Sequence, residues 1–130
     1  MMQTTLTLTA ADGHTFSAYK AEPEGTPFGA VVVVQEIFGV NAHIRDVDAA
    51  RAAVADVGRV GVVGYCWGGF VTYVAACRLD FQAASGYYGG GINEVVDEAP
   101  KCPAILHFGD NDGSIPLDQV ELVRAKHPDI

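Results

Sequence analysis

The sequence predicts an α/β protein with a mostly parallel sheet behind an N-terminal β-hairpin, and three observations carry that prediction. From residue 30 onward, short apolar runs suited to strands alternate with stretches of helical periodicity, the order that right-handed βαβ crossovers produce. The run Ala30-Val31-Val32-Val33-Val34 is continuously apolar and largely β-branched, as in strands covered on both faces. A second run, Arg59 to Gly64, passes straight into a cysteine between two glycines, with a helical pattern behind it.

Taken in order, residues Thr4 to Thr9 alternate Leu6 and Leu8 with threonines. After an Asp12-Gly13 turn, Phe16, Ala18 and Tyr19 resume an extended pattern, which together make a hairpin. Glu22 to Pro27 is a breaker cluster of proline, glycine and polar residues. The Val-rich run behind it is expected to be a central parallel strand whose carboxyl end delivers Gln35-Glu36-Ile37-Phe38-Gly39-Val40-Asn41, at the edge where α/β proteins place ligands. From His43 to Val57, Ile44, Val47, Ala50, Val54 and Val57 recur at helical spacing, and Gly58 closes that helix. A helix from about Gly68 to Leu79 follows the glycine-flanked cysteine, with Cys77 as a packed core residue. Strands over Ala83 to Tyr88 and Pro103 to Phe108 end in Gly89-Gly90-Gly91 and Gly109-Asp110-Asn111-Asp112, and a last helix spans Leu117 to Lys126.

The sequence Gly64-Tyr65-Cys66-Trp67-Gly68 has the spacing of a nucleophile elbow. Its glycines leave room for a sharp strand-to-helix turn, and the middle residue is held in a strained conformation that aims its side chain out of the sheet. The positive end of the following helix dipole favours an anion at that point. The competing reading is a buried cysteine acting as a small hydrophobe, and the agreement of strand, glycines and helix favours the nucleophile.

In a parallel sheet Glu36, Cys66, Tyr88 and Asp112 all fall at carboxyl ends, on one rim. A thiol nucleophile needs a base, a group to orient that base, and donors for an oxyanion. The backbone N–H groups of Ile37 and Trp67 follow two adjacent strands, the two-loop source of an oxyanion hole. Glu36 reads either as the partner of the thiol or as a solvated rim carboxylate, and Asp112 either as an acid orienting an imidazole or as a turn former. Of the four histidines only His127 follows Asp112. The intervening helix carries it roughly 15 to 20 Å from the rim, so it is read as an exposed helix-end residue.

With 130 residues, 49% hydrophobic content and 15 glycines, the chain is expected to form one globular domain, 1–130. A net charge of −8 without a basic cluster argues against nucleic acid as a partner. The longest apolar run is too short for a bilayer, and there is no basic-then-apolar leader, so no membrane partner and a cytoplasmic location are expected. Cysteines at 66, 77 and 102 form no C-x-x-C pair, so neither a disulfide framework nor a structural metal site is indicated, and no cofactor is expected. A dinucleotide-binding reading fails because Gly61, Gly64 and Gly68 do not have the required spacing.

At Gln35-Glu36-Ile37-Phe38-Gly39-Val40-Asn41, Gly64-Tyr65-Cys66-Trp67-Gly68-Gly69, Tyr87-Tyr88-Gly89, and His107-Phe108-Gly109 with Asp112 and Ile115-Pro116, the chain resembles the dienelactone hydrolase (carboxymethylenebutenolidase) family of α/β-hydrolases. The resemblance implies a truncated α/β-hydrolase-like fold and a Cys-His-Asp triad acting on small-molecule enol-lactones or related esters. It also implies Cys66 as nucleophile, Asp112 as triad acid, Glu36 as partner of the thiol, Ile37 and Trp67 as oxyanion donors, and Tyr88 and Phe38 against substrate. Two family parts have no counterpart. One is an inner strand with its flanking helix ends, missing near Asp46 to Asp48. The other is the histidine-bearing strand, which would follow Ile130. A chain so shortened is expected to acylate once and turn over slowly. The alternative is a non-catalytic binding or assembly module that needs a partner segment and self-associates through exposed sheet edges.

Overall fold

A computed structural model describes residues 2–34 and 40–130, with side chains described for 2–34 and 46–130. Strands β1 (Met2–Thr9) and β2 (Thr15–Glu22) form the expected hairpin, Leu6 opposite Ala18 and Thr9 opposite Thr15. Its turn works because Gly13 takes φ 87°, a conformation few side chains tolerate, and donates its N–H to Ala10 O at 2.9 Å. Strands β3 (Ala30–Val34), β4 (Val60–Tyr65), β5 (Ala83–Tyr87) and β6 (Ala104–His107) make a second, wholly parallel sheet in the order β3-β4-β5-β6. The hairpin is a separate two-stranded sheet.

That separation corrects the expectation for the Val-rich run. The strand β3 lies at the edge of its sheet, and its burial alternates, with Val31 65% and Val33 58% exposed. Composition suits a strand covered on both faces, but coverage depends on neighbours, and none of the described strands lies outside β3.

The helix expected over 43–57 is also shorter than its periodicity. Helix α1 (Val40–Ala52) ends where Val54 N–H turns back to Arg51 O at 3.2 Å, and a 3-10 turn, Ala55–Val57, completes the segment. The tighter winding lets Gly58, at φ 98°, redirect the chain within two residues into β4. Helix α2 (Trp67–Arg78) is buried at every position from Gly68 to Cys77 and lies on one face of the sheet. Its all-round apolarity matches that central place. Val47 of α1, Ile92 and Val96 of the following loop and Val123 of α3 (Leu117–Lys126) surround it in a single core with Val60, Val62 and Ala84 from the sheet.

The opposite face of the sheet carries Val31, Val33, Tyr65 and Ile105, all exposed. Among the described residues no helix is long and apolar enough to cross a membrane.

Candidate active site

The junction of β4 and α2 is built from close backbone approach. A Cβ on Gly64 would overlap the Gly68 carbonyl and the Thr72 hydroxyl, so only glycine lets the helix start directly over the strand. Thr72 Oγ1 is fully buried beneath this contact and has no hydrogen-bond partner among the described residues. Gly89, at the end of β5, is equally constrained, because a Cβ there would press on the Phe70 amide. Helix and two strand ends are thereby locked together.

Cys66 sits at the top of this junction with φ 58° and ψ −125°, a left-handed region that costs a cysteine about 1–3 kcal/mol. The strain is held from both sides. The Cys66 N–H donates to Tyr87 O on β5 at 3.0 Å, and the Cys66 carbonyl accepts from Gly69 N–H at 2.9 Å. The residue is half-buried, at the positive end of α2. Trp67, half-buried, is the first residue of that helix, its ring tilted against Phe70.

Tyr88, immediately after β5, is a further non-glycine residue with positive φ, at 39°. Its N–H donates to His107 O at 2.7 Å and its side chain is exposed. Asp112 lies on the loop after β6, half-buried, and its Oδ1 accepts the Ser114 N–H at 2.9 Å, so it does form the turn that was one of its two readings. The loops after β5 and β6 meet where Gly90 faces Ile115. Cys66, Tyr88 and Asp112 therefore share one rim, while Glu36, Ile37 and Phe38 lie outside the described residues.

His127 differs from the sequence reading. It is half-buried, donates Nε2–H to Val96 O at 2.7 Å and packs against the Tyr73 ring, just beyond an α3 that contacts the 3-10 turn Ile92–Val95. It borders a cleft of about 270 Å³ with Ala99, Cys102, Pro103 and Lys126. None of Cys66, Tyr88 and Asp112 lines that cleft. Cys77 is the core residue expected of it, its thiol pushed up to about 11 by burial and then by the nearby Glu98 carboxylate.

Sequence reasoning missed an aromatic ladder beneath the rim. Tyr65, Tyr87 and His107 end three consecutive strands in one register, and their rings stack at 5.0 and 4.2 Å. Each ends its strand, but only the pairing register brings the three rings into line.

A parallel sheet whose inner strand ends in a strained residue at the head of a helix is the architecture of an α/β-hydrolase. The chain belongs to the dienelactone hydrolase family, whose sequence model matches residues 47–128, and it is a hydrolase. A carboxymethylenebutenolidase of Pseudomonas putida is 27% identical over 182 aligned positions, covering 95% of this chain and 77% of the relative. Carboxymethylenebutenolidase 1 of Cupriavidus pinatubonensis is 40% identical over 76 positions, 57% of this chain and 32% of that protein. Among solved structures, a Pyrococcus furiosus esterase superposes with a TM-score of 0.81 at 10% identity, over 98% of this chain and 78% of that one. A Klebsiella pneumoniae structure classed with the dienelactone hydrolases gives 0.72 at 20% identity, over 97% and 80%. Those structural likenesses show the fold. The Pseudomonas alignment also has 182 positions where this chain has 130 residues in all, so that relative carries at least 52 internal residues without a counterpart here.

Proposed function

We infer that this chain cleaves enol-lactones or small carboxylic esters with Cys66 as nucleophile. One observation supports the reading above the rest: a cysteine, and not a glycine, holds a strained left-handed conformation between β4 and α2, braced by hydrogen bonds on both sides. Such strain persists where the surrounding structure gains from the side chain's direction.

In this reading the Cys66 sulfur attacks the carbonyl carbon while Glu36 takes the thiol proton. The oxyanion that forms is met by the N–H groups of Trp67 and Ile37 and by the positive end of α2, and each such donor contributes about 10²- to 10³-fold to rate. Collapse breaks the carbon–oxygen bond, the leaving oxygen regains a proton, and the acyl group stays on sulfur as a thioester. In a lactone that leaving oxygen remains on the same molecule as the acyl group. Water then attacks the thioester and frees the acid and the thiol. Asp112 holds the place of the triad acid, the group that would orient an imidazole, and Tyr88 and Phe38 contact the substrate.

Stopped-flow release of the leaving group from an aryl ester and from an enol-lactone tests this. A first turnover stoichiometric with protein, slowed at least about 10³-fold in Cys66→Ala, is the expected result. Equal first-turnover rates in the two proteins would remove Cys66 from the chemistry.

A further inference from the structure

The outer edge of β3 is unpaired and uncharged. Ala30 donates its N–H to Arg59 O at 2.8 Å, so the backbone groups of Ala30, Val32 and Val34 face β4. Alternation then turns the N–H and C=O groups of Val31 and Val33 outward. Among the described residues nothing accepts them, since β3 ends the strand order and the hairpin forms its own sheet. The side chains of Val31 and Val33 are exposed on the face that α2 leaves uncovered, and Phe28, two residues before the strand, is 96% exposed. Proteins normally blunt such an edge with lysine, proline or a bulge, and Ala30-Val31-Val32-Val33-Val34 has none of these.

We propose that this edge joins a second copy of the same chain, the two β3 strands pairing antiparallel about a two-fold axis at Val32. The register is self-complementary. With Val32 opposite its own copy, Val31 falls opposite Val33 of the second copy, and Val33 opposite Val31. These are the residues whose outward groups are unpaired, so each pair exchanges two hydrogen bonds and four form across the axis. The same register brings both copies' Val31 and Val33 side chains into one apolar cluster on one face. No charge lies within the strand to oppose contact between chains that each carry −8. The two four-stranded sheets become one continuous sheet.

A five-residue edge buries less than the roughly 800 Å² per partner of a standard stable interface, so the dimer forms in the micromolar range. It tightens with salt, which screens the repulsion between two acidic chains.

Sedimentation velocity of the full chain from about 1 to about 200 µM tests the proposal. The expected result is a shift from 13.7 kDa toward twice that mass, larger at high salt. Val33→Pro removes one outward N–H while leaving the β4 ladder intact, and should weaken the dimer more than tenfold. Val31→Glu, on the exposed face, should do the same if the proline variant fails to fold. Amide exchange at Val31 and Val33 should slow with protein concentration in the unaltered chain. A single 13.7 kDa species throughout, or a dimer that both variants leave unchanged, would overturn the proposal.

Discussion

Strands β3 and β4 look alike in sequence, one Ala-Val-Val-Val-Val and the other Val-Gly-Val-Val-Gly-Tyr, yet they are the least and the most constrained parts of the sheet. On β4, Val60 and Val62 are 2% and 3% exposed, and Gly64 carries a helix start directly on its backbone. On β3, Val31 and Val33 face solvent and their backbone groups have no strand to pair with among the described residues. The difference lies in what stands beside each strand, not in the strand itself. A strand with α2 above it and neighbours on both sides can fix Cys66 in a strained pose, whereas an edge strand can only offer its groups to something else.

The sharpest break in that contrast is Gly64→Ala. The added methyl meets the Thr72 hydroxyl and, above all, the Gly68 carbonyl, which cannot move without shifting α2, so the variant should lose more than about 3 kcal/mol. Urea denaturation would show this, or the protein would not accumulate in folded form. The like-for-like comparison comes next. Val62→Ala should cost about 2–3 kcal/mol and Val33→Ala no more than about 0.5 kcal/mol, measured at a concentration that keeps the chain monomeric.

Thiol chemistry extends the contrast to the site. Burial pushes the Cys77 thiol up to about 11, leaving it about ninetyfold less thiolate at pH 8 than a cysteine with the ordinary value of 9.0. Iodoacetamide mass mapping should therefore modify Cys66 at least about 100-fold faster than Cys77 in folded protein, the gap closing in urea.

The smallest effect concerns the surface clamp between α2 and the loop after β5. The Arg78 guanidinium donates to Glu98 at 2.8 and 2.6 Å and holds that carboxyl below its usual range, against a lesser opposing effect of desolvation. Because the folded value is depressed, the link stabilises above about pH 4.3 and is lost as pH falls through the folded value. Glu98→Gln should cost under about 1 kcal/mol at neutral pH, since both side chains are partly exposed, and nothing in strong acid.

Much of this was legible beforehand where local chemistry decides. The Asp12-Gly13 turn, the tight strand-to-helix turn at Gly64 and Cys66, the burial of Cys77 and the bounds of α3 all follow from short-range pattern. What pattern missed depends on distant neighbours. The edge position of β3 reflects the hairpin's separation, and α1 stopped early because the chain had to turn into β4. His127 was read as exposed at a helix end, but its ring bonds Val96 O and packs on Tyr73, neighbours that no local pattern shows. The Tyr65–Tyr87–His107 ladder needed strand register, which no single segment carries. For the site, the spacing pointed to one rim, and Cys66, Tyr88 and Asp112 do lie on it.

The most direct test is intact-protein and peptide mass spectrometry after mixing the chain with an activated aryl ester and quenching in acid within the first turnover. One acyl mass on the peptide containing Cys66, absent from Cys66→Ala, is the predicted result. Acyl mass on any other residue, or product release with no acyl-protein at any quench time, would contradict the nucleophile assigned to the end of β4.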